Sequence, residues 1–198
     1  MPLIPLVVAV PLVLAFAGVY HPADLTTDTA DTWRNLHLIL LPVFPLLAAG
    51  PLLLLRGIGG PVAALARVAA YSYAVFYTAL DAIAGIAAGA VVAETEEEIE
   101  TVEPQLHTLF DIGNLLGIIG SVSFLLCAAS AATALVLRYG RRAIPGAALF
   151  VLASVPFLFS HIYWPVGGST LVVMAVGLGL LAWARVKSST VPSAGPSS

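Results

Sequence analysis

The chain has 198 residues, 60% of them hydrophobic and only 10% charged, with a formal net charge of −3 and a mean hydropathy of +1.00. Soluble globular proteins carry about 25% charged residues, so this composition excludes an ordinary soluble domain and points to an integral membrane protein. Nucleic-acid binding is disfavoured too, because the eight Lys and Arg residues form no basic stripe that could neutralise phosphates.

Six long apolar runs follow one another, at residues 3–20, 37–55, 62–92, 106–137, 143–163 and 170–186. About 20 apolar residues cross a hydrocarbon core of about 30 Å, and in lipid each segment must satisfy its own backbone N–H and C=O groups, which selects helices. The short alternating segments of a membrane β-barrel are absent. The expected fold is therefore an all-α, six-helix transmembrane bundle forming a single domain over residues 1–187, in the cell membrane and with the lipid bilayer as its first partner.

The first run contains Pro5 and Pro11 and ends near Ala15-Phe16-Ala17, which resembles a signal-peptide cleavage site but lacks the basic segment such peptides carry. Cleavage there would leave five spans. The second run contains Pro42 and Pro45, and the fifth contains Pro156; each frees a carbonyl and permits a kink. The third run, around "YTALDAIAGIAAG", gathers Tyr77, Thr78 and Asp81 on one side and carries Gly85 and Gly89 as a GxxxG.

In the fourth run His107, Asp111, Asn114 and Ser121 fall within an arc of about 80° on a helix, beside a second GxxxG made by Gly113 and Gly117. Such glycines let backbones approach closely. Spans three and four are expected to pair as an antiparallel hairpin with Asp81 and Asp111 facing inward, and the GxxxG faces also offer a route to homo- or hetero-oligomers. Cys127, the single cysteine, reads as a small buried side chain. The end of the chain, residues 188–198, is polar and Pro-rich, the composition of a disordered tail.

Charge sets the expected orientation. Seven of the eight basic residues, Arg56, Arg67, Arg138, Arg141, Arg142, Arg185 and Lys187, fall on one side of the six-run plan. By the positive-inside rule that side is the cytoplasm, with both termini inside. The opposite side is acidic, with Asp24, Asp28, Asp31, Glu94, Glu96, Glu97, Glu98, Glu100 and Glu103 against Arg34. A solvated surface explains these charges; a field that gathers cations is the functional alternative.

All four histidines fall on the acidic side: His21 closes the first run, His37 opens the second, His107 opens the fourth and His161 closes the fifth. His37 lies 19 residues from Arg56 and His161 lies 19 residues from Arg142, so the two share a depth of about 28 Å from the basic anchors. His107 lies 31 residues from Arg138, which would lift it above the membrane unless that helix tilts strongly.

Ionisable groups inside a span mark functional candidates. One reading is a transition-metal or haem site built from His37, His107, His161 and Asp111, with His21 at its rim and the side chains within about 10 Å of one another. A second is a ligand or proton path through Asp81, Asp111, Asn114 and Tyr77, as in a small proton-coupled transporter or channel. A third is a structural or accessory subunit, with the interfacial His, Tyr and Trp of "HIYWP" serving as membrane anchors. HExxH, CxxC, phosphate-loop and dinucleotide motifs are absent, and no inverted repeat of the transporter type is apparent.

Overall fold

Long uncharged stretches can satisfy their backbones only locally. The computed structural model, which describes residues 3–95 and 99–189, is accordingly helical, with no strand among the described residues. Glu96, Glu97 and Glu98 of the acidic run, and residues 190–198 of the polar tail, lie outside the described residues. The helices are α1 (Leu3–Gly18), α2 (Ala30–Leu40), α3 (Ala49–Leu54), α4 (Pro61–Leu80), α5 (Ala88–Glu94), α6 (Glu103–Tyr139), α7 (Ile144–Ser154), α8 (Phe157–Ser160) and α9 (Val166–Ser189).

Three helical stretches are long and apolar enough to cross a bilayer: Pro61–Glu94, Glu103–Ser160 and Val166–Ser188. A fourth qualifies if Ala30–Leu40 and Phe44–Leu54, bent by 42°, count as one broken span. Leu3–Gly18 is apolar but shorter. Within Glu103–Ser160 the chain turns back on itself at Gly140, whose φ of 66° suits a residue without Cβ. The Phe124 and Phe150 rings consequently lie 6.0 Å apart, where an unbroken helix would hold those positions about 39 Å apart.

The breaks follow the sequence chemistry. At Pro42 and Pro45 the predicted second span gives way to a turn and a 3-10 segment, Phe44–Ala48. The carbonyl of Phe44 accepts a hydrogen bond from the Tyr73 hydroxyl at 3.0 Å. At Pro156 the fifth run breaks, leaving the four-residue α8, which stops at His161. Between α4 and α5 the helix widens into a π segment, Asp81–Ala87. There the Trp33 indole N–H donates to the carbonyl of Ala84 at 3.2 Å.

Glycines set the closest packing. α4 lies along α6, and a Cβ added at Gly113 would stand 2.6 Å from the Cβ of Ala84, while Gly117 and Gly120 face Leu80 and Tyr77. The glycines Gly85 and Gly89 instead admit α2, through His37 and Arg34. The GxxxG faces are thus in use within the chain. α9 packs against both α1 and α7, the latter across Gly146 and Gly177. The core holds Phe44, Tyr73, Tyr77, Phe124, Phe150 and Phe157, all fully buried. Large apolar side chains also cover the outside, among them Val68, Tyr71, Leu115, Leu137 and Phe159.

Basic side chains close one end. Arg67 donates to the carbonyls of Leu55 and Ile58, and Arg185 to those of Leu53, Leu54 and Arg56. These carbonyls lie at the end of α3 and in the turn that follows it, so two cations tie down that turn.

A three-histidine candidate metal centre

Three imidazoles meet at the end of the fold opposite those arginines. His21 follows α1, His37 lies on α2 and His161 follows α8. One ligand atom from each lies within 4.8 Å of the other two. His37 and His161 have nearly parallel rings with centroids 6.3 Å apart, and His21 stands edge-on to both.

Local structure explains how each ring arrives. α1 ends at Gly18, whose missing side chain leaves room for the carbonyl of Ile162, so the chain just before His21 lies against the chain just after His161. The Trp164 indole fixes this junction by donating to the carbonyl of Ala15 at 2.8 Å. The loop from His21 to α2 is held by Thr29, whose hydroxyl donates to the carbonyl of Asp24 and accepts from the Thr26 N–H, each at 2.8 Å. His37 fits against the π segment only because position 85 is glycine. His161 adopts φ 44°, a conformation that costs a non-glycine residue about 1–3 kcal/mol and persists where the surroundings fix it. Here Ser160 and Gly167 hold the turn on either side, through bonds with Tyr163.

Hydrogen bonding fixes the tautomers of two rings. His21 donates its Nδ1–H to the carbonyl of Pro22 at 2.7 Å, and His37 donates its Nδ1–H to the carbonyl of Trp33 at 2.7 Å. In the neutral rings both Nε2 atoms then carry lone pairs, and they lie 3.4 Å apart. Two lone pairs at that distance repel unless a cation sits between or beside them. Burial holds the His21 imidazole below its ordinary value of 6.5, with the bond to Pro22 only partly opposing this, which favours the neutral ring. His161 completes the group, its Nδ1 sharing a 2.6 Å hydrogen bond with the Tyr77 hydroxyl.

A carboxylate stands beside them. Asp81 is 1% exposed, and among the described residues neither of its oxygens has a hydrogen-bond partner. Its Oδ1 lies 3.8 Å from Nε2 of His37. The set is therefore three imidazoles and one buried carboxyl, a donor combination suited to a divalent first-row metal.

The fit to a metal can be tested on distances. Around a tetrahedral ion with bonds of about 2.0–2.1 Å, ligand atoms lie about 3.3–3.4 Å apart. The His21–His37 separation of 3.4 Å matches such an edge; the three-imidazole group as a whole spreads to 4.8 Å and Asp81 stands 3.8 Å from His37, so these side chains must draw inward to close around an ion. A haem fits less well: a third imidazole within 4.8 Å of both others occupies space that a porphyrin plane between two axial histidines requires. The Nδ1 bonds to backbone carbonyls are themselves the outer-shell contacts that orient metal-binding histidines.

The remaining residues singled out in the sequence lie elsewhere or play different parts. His107 is exposed on the first turns of α6 and lies 3.4 Å from Glu103, and Asp111 is also exposed; neither belongs to the histidine group. His107 lies seven residues, about 10 Å along α6, before the cavity-lining Asn114, and Asp111, though next to the cavity-lining Phe110, faces outward. His21, expected at the rim, is instead a full member. Its only sequence signal was its position just after an apolar run. Asn114 and Ser121 line a cavity of about 490 Å³ that His37, Asp81 and His161 also border. Cys127 is buried in the core, away from the group.

A second pocket, of about 360 Å³, reaches His21 from the surface between Val19, Ala23 and Trp164. Compared with known protein families, characterised proteins and solved structures, the chain matches none.

Proposed function

We propose that this is a multi-pass membrane protein of the cell membrane that holds one divalent first-row metal ion at His21, His37 and His161, with Asp81 as a further ligand. The observation that carries this reading is the approach of the His21 and His37 Nε2 atoms to 3.4 Å, each ring oriented by an Nδ1 bond to a backbone carbonyl. Zinc suits the tetrahedral edge, and copper and iron also accept imidazole. A bound ion supplies a Lewis acid or a water activated at neutral pH. The chain's own residues orient the rings and place a carboxyl beside them. The pocket at His21 offers the ion an approach.

The proposed topology has six crossings and both termini in the cytoplasm. Its support is the segregation of basic residues, with Arg67 and Arg185 at one end and the histidines at the other. The bent pair α2 and α3 then makes one crossing, α1 another, and the reversal at Gly140 divides Glu103–Ser160 into two. The bilayer is the partner that solvates the exposed apolar surface.

A second reading, a proton path, is favoured by the unpartnered carboxyl of Asp81 within a π segment, a helix irregularity frequent at functional sites. Asp111, the other carboxyl of this reading, is exposed on α6.

The test is elemental analysis of detergent-purified protein against a His21→Ala/His37→Ala double variant. Near-stoichiometric zinc, copper or iron that disappears in the variant is the expected result. Well-folded wild type that stays metal-free after incubation with each ion refutes the metal reading. Proton flux in liposomes, abolished by Asp81→Asn, would then carry the second.

A further inference from the structure

The cavity of about 490 Å³ is not explained by metal binding alone, because three ligands and an ion need far less space. Its size falls within the range of about 300–1,000 Å³ typical of small-molecule sites. One end is polar, bordered by His37, Asp81 and His161; the walls are aromatic, with Trp33, Phe110 and Phe157 among them. The lining also includes Ile118 of α6 and Phe159 of α8, which are 56% and 87% exposed and so mark where the cavity reaches the outside. In the membrane reading such side chains touch acyl chains, so the mouth opens sideways into lipid. Ile118 lies 20 residues before Arg138 on one continuous helix, a rise of about 30 Å, which is the thickness of the hydrocarbon core. The mouth therefore sits at the outer edge of that core.

The polar end specifies what enters. Asp81 has two oxygens without donors among the described residues. One of them, at 3.8 Å from His37 Nε2, is placed to share a metal ion with the histidines. The other still needs a hydrogen-bond donor, since a buried acceptor left unmade is costly. A ligand carrying an O–H or N–H provides one. Neither Lys nor Arg lines the cavity among the described residues, so a phosphate or carboxylate head would bring acceptors to an acceptor.

We propose that the cavity takes a neutral single-chain amphiphile from the outer leaflet, its hydroxyl or amide group donating to Asp81 and its hydrocarbon chain leaving between Ile118 and Phe159. This rests on the membrane and metal-centre reading above and names the class of molecule that reaches that centre. Asn114 of α6, which also lines the cavity, offers the head group a second polar contact.

The test uses the full chain in phosphatidylcholine liposomes and a diazirine-bearing, alkyne-tagged analogue of hexadecanol. After illumination, label is expected on peptides containing Phe110 to Ser121 and Phe157 to Tyr163. Hexadecanol should compete and hexadecyl phosphate should not. Ile118→Trp, which plugs the mouth from an exposed position, should lower the label at least about tenfold, the equivalent of about 1.4 kcal/mol; Phe159→Trp on the opposite lip is the second variant, should the first fold poorly. Label spread evenly over outward residues such as Tyr71 and Leu137, equal competition by the phosphate, or indifference to both variants overturns the proposal. Metal content is measured on the same samples. Labelled protein without metal defeats the metal centre alone, and metal-loaded protein without cavity label defeats the amphiphile alone.

Discussion

Gly85→Ala perturbs the candidate centre without touching a ligand. A Cβ at this position would stand 2.9 Å from the Cβ of His37 and closer still to its Cγ and Cδ2. Carbon atoms in contact prefer about 3.5–4.0 Å, so the imidazole must retreat by about 1 Å or the π segment must move away from α2. Functional constellations tolerate about 0.5 Å of misplacement, and loss of a correct outer-shell arrangement costs about 10–100-fold in metal affinity. The same overpacking destabilises the fold by about 1–3 kcal/mol. Competition against a chromophoric chelator gives the affinity, and thermal unfolding of the metal-free protein gives the stability. The expected result is a weaker site in a folded protein. If the variant bound metal as tightly as wild type, the placement of His37 against Gly85 could not be what positions the ligand.

Asp81→Asn removes a buried, unpartnered carboxyl, so the metal-free variant should unfold at a temperature equal to or above that of wild type; a lower temperature would mean that Asp81 has a partner in the protein. The pH dependence has a fixed sign. Because the folded protein holds His21 below its ordinary value of 6.5, the unfolded chain binds the extra proton first as pH falls. The stabilising contribution is complete above about pH 6.5 and is lost below it. Unfolding temperatures of the metal-free protein between about pH 7.5 and pH 5.5 should fall less in His21→Asn than in wild type, and equal slopes would contradict the assignment. Topology is checked by cysteine labelling in a Cys127→Ala background: a membrane-impermeant maleimide should reach Asp28→Cys in intact cells and Ser188→Cys only after permeabilisation. The reverse pattern inverts the proposed orientation.

Composition alone determined that the chain is helical and greasy, because runs of apolar residues leave the backbone no partner but itself. The prolines marked where the second and fifth runs break, since Pro42, Pro45 and Pro156 each lack the N–H a continuous helix requires. The glycines of the third and fourth runs were legible as close-contact positions, but the partner of Gly85 and Gly89 was not: α2, rather than α6, fills that groove. Histidines at run ends were visible as a group of four. Which of them meet was decided by the fold, because convergence depends on three loops returning to one place. The bend at Phe44–Ala48, the junction of Gly18 with Ile162 and the left-handed turn at His161 bring His21, His37 and His161 together. His107 stays apart, about 10 Å along α6 before the cavity-lining Asn114. Asp81 shows the same division: its presence in an apolar run is written in the sequence, while the π segment that sets it beside His37 and the cavity exists only in the packed structure.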